Sequence, residues 1–223
     1  MSLTVAILCG GLGTRLKPLT DTVPKSLVEV DGKPFIDWQL ELIASQGIER
    51  VVLCTGYLGE QIKGHVGTGK QFGLEIEYSF DGPELLGTAG AIRKALPRLG
   101  SQFGVLYGDV YPLYDLMKAY KAFQYRDADA MMAVRCPGRK NVIYEDETVY
   151  GYGHGNCGDA GFSLFEPDIF RRHVSSGLGE VFGDLADEDR LAGYEVTEPV
   201  YEIGSLEGLA AFRRYVVHDL VPG

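Results

Sequence analysis

Thr4-Val5-Ala6-Ile7-Leu8-Cys9 runs directly into Gly10-Gly11-Leu12-Gly13-Thr14-Arg15-Leu16-Lys17-Pro18-Leu19-Thr20, and Pro24-Lys25 follows. The apolar half is short and ends in glycines, so it reads as a buried parallel strand. In open α/β sheets, ligands bind beyond the carboxyl ends of the strands, where this glycine loop lies. Gly10, Gly11 and Gly13 let backbone N–H groups approach and wrap an anion. Arg15 offers a bidentate clamp for phosphate oxygens, and Lys25 a compact charge for the same pocket. Two other glycine loops do not fit. The dinucleotide pattern G-x-G-x-x-G fails because Gly11-Leu12-Gly13 leads to Leu16 and Pro18, and no acidic residue follows the second strand at Cys54-Thr55. The G-K-[ST] of a Walker loop does not occur near this loop.

Working outward, strand and helix patterns alternate. Helical periodicity spans 35–46, with Pro34 in front and Gly47 closing it. Strand patterns at 51–54, 74–80, 103–107 and 128–134 alternate with helical ones at 59–66, 89–96 and 113–125. This order predicts an α/β fold, an open and mostly parallel sheet flanked by helices, with residues 1–135 as the core that carries the anion-binding loop. The pattern then changes to short strands at 142–144, 148–152 and 161–165. Helices at 167–173 and 207–215 follow, with a strand at 200–203. Residues 136–223 thus read as a small α+β extension on the same core, within a single domain of residues 1–223.

The chain has 223 residues, 45% hydrophobic and 23% charged, which suffices for a full core. A net charge of −10 argues against a nucleic-acid partner. It favours phosphate held by a local donor cluster and by Mg²⁺ set between carboxylates and phosphates. Cys9, Cys54, Cys136 and Cys157 are far apart with no C-x-x-C pair, so neither a zinc site nor a disulfide framework is expected. Cys9 and Cys54 read as buried reduced thiols. Neither a signal peptide nor a long apolar run is evident, so no membrane partner and a cytoplasmic location are expected. Self-association into a homo-oligomer is left open.

The long motif G-G-L-G-T-R-L-K-P-L-T-x-x-x-P-K resembles the signature of the sugar-1-phosphate nucleotidyltransferases, whose fold is the nucleotide-diphospho-sugar transferase, glycosyltransferase-A-like sheet. Three later segments carry the resemblance through most of the chain. Glu84-Leu85-Leu86-Gly87-Thr88-Ala89-Gly90-Ala91 is similar to the family's second nucleotide segment. Here Gly87 allows backbone approach to a base, and Thr88 lies near the ribose or acts as a helix N-cap. Tyr107-Gly108-Asp109 ends a core strand and matches the family's metal-binding Asp. Asp159-Ala160-Gly161 and Glu202-Ile203-Gly204-Ser205 resemble the sugar segment and the second metal segment, which usually reads D-I-G-T. The resemblance implies transfer of a nucleoside monophosphate from an NTP to a sugar 1-phosphate, with release of pyrophosphate. It places Leu8, the glycines and Thr14 on the nucleotide, Asp159 and Gly161 on the sugar, and Mg²⁺ on Asp109 and Glu202. Catalysis falls to Arg15 on the pyrophosphate portion, Lys25 at the α-phosphate, and Asp109.

Two departures stand out. Glu202 replaces the usual Asp, and the Lys that many members carry before the sugar segment has no counterpart in 150–156. His154, Lys140 or Lys25 are the candidates to replace it. The start of the chain and its Y-E-I-G-S segment look most like enzymes that use GTP with heptose or mannose 1-phosphate. Two alternatives are a non-catalytic sugar-nucleotide-binding regulator and a glycosyltransferase with Asp127-Ala128-Asp129 as its acidic pair. After the last helix the sequence is short, so the long β-helical extension of bifunctional members, and a second acetyltransferase activity, are not expected.

Overall fold

The computed structural model describes residues 2–220. In chain order the main elements are β1 (Thr4–Leu8), β2 (Glu29–Val30), β3 (Lys33–Pro34), α1 (Phe35–Ser45), β4 (Arg50–Thr55) and α2 (Gly59–Val66). Next come β5 (Glu75–Phe80), α3 (Gly87–Ala95), β6 (Phe103–Tyr107), β7 (Val110–Pro112), α4 (Leu116–Phe123) and β8 (Ala130–Arg135). The later part holds β9 (Val142–Glu145), β10 (Thr148–Tyr152), β11 (Gly158–Phe165), α5 (Ile169–Arg172), α6 (Leu178–Asp187), β12 (Leu191–Val196), β13 (Val200–Glu202) and α7 (Leu206–Tyr215).

One sheet, ordered β5-β4-β1-β6-β11-β8-β12-β10-β9, spans both halves of the chain. β1 pairs parallel with β4 and β6, and β12 parallel with β8, while β11 runs antiparallel to β6 and β8. Only β11 and β10 point against the rest, so the sheet is mostly parallel, as the alternating pattern predicts. The second half does not simply extend an edge, because β11 inserts between β6 and β8. The carboxyl end of β6 thereby faces residues from both halves.

Helices cover both faces, as buried parallel strands require. Ile36, Leu40 and Ile43 of α1 pack with Ile62 of α2 and Phe123 of α4 on one side. Ala89 and Ile92 of α3, Phe170 of α5 and Phe182 of α6 pack on the other. A third cluster docks α7 through Phe212 against Phe35, Trp38 and Tyr111. This anchors β13, and with it Glu202, beside β7. No described helix is long and apolar enough to cross a membrane.

One sequence expectation fails here. Cys136 and Cys157 form a disulfide, with Cα atoms 4.7 Å apart. Arg135 pairs with Gly158 across the β8–β11 ladder, so the next residues outward, 136 and 157, face each other. Directly opposed residues in such a ladder lie about 4.5–5.5 Å apart. Two cysteines separated by 21 positions reveal this only once the register is known. Cys9 and Cys54 are free and buried.

Candidate active site

β1 ends at Leu8, and the loop after it folds over the ends of its neighbours. The Cys9 N–H donates to the Cys54 carbonyl at 2.8 Å, and the Gly108 N–H to the Leu8 carbonyl at 3.1 Å. The loop therefore lies against the segment after β6 that carries Asp109. Gly13, in the left-handed region, opens a short 3-10 turn over Thr14–Leu16 that presents Arg15. The Thr20 hydroxyl donates to the Gly13 carbonyl at 2.8 Å and holds that turn.

Two cavities flank this point. The first, about 280 Å³, is lined by Leu8, Gly10, Gly11 and Lys25, by Gly87 and Thr88 of α3, and by Asp109. Cys9 and Cys54 contribute to its wall; burial pushes the Cys9 thiol up to about 12 and raises that of Cys54 too. They are neutral wall groups there, not nucleophiles. Gly13 and Thr14 do not line this cavity. The second, about 570 Å³, is lined by Arg15, Asp159, Gly161 and Glu202, and again by Asp109. Tyr107 and Asp109 are common to both cavities, so whatever fills them meets at the end of β6.

The charges at this junction are close. Lys25 Nζ bonds Asp109 Oδ2 at 2.7 Å. A Cβ on Gly204 would lie 2.5 Å from Glu202 Oε2 and 2.8 Å from both Asp109 Oδ2 and Arg15 Nη2. Two carboxylates from different segments and a guanidinium thus border one gap that only glycine leaves open. Hard oxygens in this arrangement suit Mg²⁺, which is often held by one or two carboxylates, with phosphates and water completing its shell. No cluster of three or more ligating side chains occurs among the described residues. Glu202 is also tied to its own turn. Its Oε2 accepts from the Gly204 N–H at 2.6 Å and its Oε1 from the Ser205 hydroxyl at 2.8 Å, while Ser205 caps α7.

Other sequence expectations resolve differently. Thr88 is not the N-cap of α3, which begins at Gly87. Its hydroxyl accepts from the Leu178 N–H at 2.7 Å, so it caps the start of α6 instead. Lys140 and His154 are exposed and line neither cavity. The cations of the second cavity, besides Arg15, are Arg135 and Arg139. Sequence reading missed both, and also Asp81 in the first cavity, where burial raises the carboxyl. A basic residue at the end of the predicted strand 128–134 was the available signal for Arg135. Asp159 has Oδ1 accepting from the Gly161 N–H at 2.8 Å and Oδ2 from the Tyr152 hydroxyl at 3.2 Å, and burial raises its pKa. Asp127 and Asp129 precede β8, at the opposite end of the sheet. Arg190 bonds Asp129 at 2.6 Å and Asp127 at 3.2 Å, and Arg172 also pairs with Asp129. That acidic pair serves packing at the sheet's far end.

The family described as "Nucleotidyl transferase" matches residues 4–157. An N-acetylmuramate alpha-1-phosphate uridylyltransferase from Neisseria meningitidis is 43% identical over 180 residues, covering 80% of this chain and 72% of the relative. A D-glycero-alpha-D-manno-heptose 1-phosphate guanylyltransferase from Campylobacter jejuni is 40% identical over 202 residues, covering 88% of this chain and 85% of the relative. Among solved structures, HddC from Yersinia pseudotuberculosis complexed with GMP-PN superposes with a TM-score of 0.78 at 25% identity, covering 95% of this chain and 98% of that one. With its glycine loop, paired cavities and matching sequence, the chain belongs to the nucleotidyl transferase family and is a sugar-1-phosphate nucleotidyltransferase.

Proposed function

We propose that the first cavity holds the nucleotide, that the second holds the sugar 1-phosphate, and that transfer takes place at Asp109. The observation that carries this reading is the sharing of Tyr107 and Asp109 by both cavities. A phosphate oxygen of the acceptor attacks the α-phosphorus in line, and pyrophosphate leaves. The acceptor phosphate is ionised near neutral pH and needs no general base, so the protein's task is positioning and charge neutralisation. Lys25, a wall of the nucleotide cavity, neutralises the α-phosphate region, the amides of Gly10 and Gly11 meet the departing pyrophosphate, and Arg15, which lines the second cavity beside Asp109, faces the phosphates at the junction. Thr88 and Gly87 flank the nucleoside, and Asp159 accepts from sugar hydroxyls. Asp109 and Glu202 would hold Mg²⁺, which when bound neutralises phosphate charge.

For the donor we propose GTP. Asp81 supports this reading: it is a carboxylate in the wall of the nucleotide cavity, and only its Oδ2 is engaged, by the Leu86 N–H at 3.3 Å. A carboxylate accepts two N–H bonds side by side, as the guanine edge offers, whereas uracil offers one. The 40% identical guanylyltransferase acts on a heptose 1-phosphate and supports a heptose- or mannose-type ring for the acceptor. Pyrophosphate release with four NTPs against several sugar 1-phosphates tests the pairing. GTP is expected to give the highest kcat/KM, and Asp81→Asn to raise the KM for GTP about tenfold or more, as loss of a charged acceptor does. A preference for UTP that survives Asp81→Asn would refute the guanine assignment.

A further inference from the structure

The sugar cavity is graded in charge from one end to the other. At the junction stand Asp109, Glu202 and Arg15, where a phosphate belongs. Next come Asp159 and Tyr152, hydrogen-bonded to each other at 3.2 Å. A carboxylate at that place repels phosphate and suits sugar hydroxyls. At the far side are Arg135, the last residue of β8, and Arg139, in the turn beyond it. β11 lies between β6 and β8. Adjacent strands are about 4.8 Å apart, so β8 stands about 10 Å from the strand that leads to Asp109. That separation leaves room for a sugar ring between the junction and the arginines.

The arginines at this far side are free. Arg135 Nε is buried with no hydrogen-bond partner. Neither Arg135 nor Arg139 forms a side-chain hydrogen bond or ion pair among the described residues, whereas Arg50, Arg126, Arg172 and Arg190 all pair with carboxylates. Both residues line the cavity, so an anionic ligand bound there would be their partner. The turn is also held in place. The Cys136–Cys157 disulfide ties it to β11, the Asn141 N–H donates to the Arg139 carbonyl at 2.8 Å, and Asn141 Oδ1 accepts from the Asp159 N–H at 3.2 Å. Two forked donors lining one side of the cavity suit a planar, bidentate oxyanion.

We infer that Arg135 and Arg139 bind a carboxylate on the side of the sugar away from its 1-phosphate, so that the acceptor is an acidic sugar 1-phosphate: a uronate, or a ring bearing an acidic ether substituent. This rests on the nucleotidyltransferase reading and narrows its acceptor. A manno-type ring remains compatible provided it carries the second anion.

The test uses the full chain with GTP and UTP, and with mannose 1-phosphate, mannuronic acid 1-phosphate and N-acetylmuramate 1-phosphate, read by pyrophosphate release. At least one carboxylate-bearing acceptor is expected to show a KM about 10- to 100-fold below that of mannose 1-phosphate, the range for charge-assisted hydrogen bonds. Arg135→Gln and Arg139→Gln should raise that KM at least about tenfold and erase the preference, with KM for the NTP and melting temperature little changed. The inference is overturned if no carboxylate-bearing acceptor is preferred. It is equally overturned if the variants weaken mannose 1-phosphate as much as the acidic acceptors, which would assign the arginines to the 1-phosphate. If none of these acceptors turns over, calorimetric titration of N-acetylmuramate 1-phosphate and mannose 1-phosphate decides the arginines separately from the transfer reading, which heptose 1-phosphate with the four NTPs then tests. Acid-selective binding lost in both variants supports the inference, and equal or absent binding sinks it.

Discussion

The walls of the nucleotide cavity come from the carboxyl ends of parallel strands: Leu8 at the end of β1, Cys54 within β4, Asp81 after β5 and Asp109 after β6. Those of the sugar cavity come from a returning strand and its excursions: Arg135 at the end of β8, Arg139 after it, Tyr152 on β10, Asp159 on β11 and Glu202 on β13. The first cavity follows from repeated strand–loop–helix units and is anchored by a glycine loop. The second depends on where β11 inserts and on its register with β8. One fold thus combines a nucleotide side fixed by local sequence with a sugar side fixed by long-range pairing. Substitutions in one cavity should then leave the other's substrate unaffected, except at the shared wall.

Asp109 is that wall, so it should break the separation most severely. Asp109→Asn should lower kcat about 10³-fold and weaken both substrates, because it removes a hard anionic ligand and the partner of Lys25. Lys25→Ala should cost about 10²–10³ in kcat. Their effects should not add, since the groups are 2.7 Å apart. Steady-state kinetics of the two single variants and the double one measure this. A rate for Asp109→Asn within tenfold of the parent, at unchanged Mg²⁺ dependence, would make Asp109 a structural residue.

Two glycines offer a matched pair on either side. Gly87 has φ +75°, and a Cβ there would come within 2.5 Å of the Ser176 carbonyl oxygen. Gly161 has φ +84°, and its Cβ would come within 2.5 Å of Val110 Cγ1. Alanine at either position should cost about 1–3 kcal/mol of stability, and more at Gly87, where the obstacle is backbone. Gly87→Ala should raise the KM for the NTP and Gly161→Ala that for the acceptor, each with little effect on the other. Equal rises in both KM values for both variants would show that the cavities are not independent.

The same division explains what was legible in the sequence. The glycine loop, Asp109 and the alternating first half could be read because each depends on neighbours within a few residues. α6 and β12 were missed: Gly179 and Gly183 interrupt the helical pattern, and Gly193 and Glu195 interrupt the strand's, yet packing in the core fixes both elements. The disulfide became visible only through the pairing of Arg135 with Gly158, which no local pattern encodes, and Arg135 had only its place at the end of a predicted strand as a signal.

Glu202 belongs to both accounts and gives the finest test. It faces the gap at Gly204 together with Asp109, as a metal ligand would, and its two oxygens also hold the turn that starts α7. If it serves Mg²⁺, Glu202→Gln should raise the half-saturating Mg²⁺ concentration about fivefold, the factor matching about 1 kcal/mol of charge interaction. Glu202→Asp keeps the charge, and its shorter arm still reaches the N–H two residues on, as Asp does in an Asx turn. It should therefore hold the Mg²⁺ requirement near that of the parent while giving up the bond from Ser205 and lowering the melting temperature slightly. A residue that only starts the helix predicts the reverse: both substitutions lower the melting temperature and neither moves the Mg²⁺ titration. Mg²⁺ titrations of the two variants, with melting curves alongside, separate these outcomes. An unmoved titration in Glu202→Gln would leave Asp109 as the sole protein carboxylate serving the metal, and the sugar cavity would then contribute no ligand of its own at the junction.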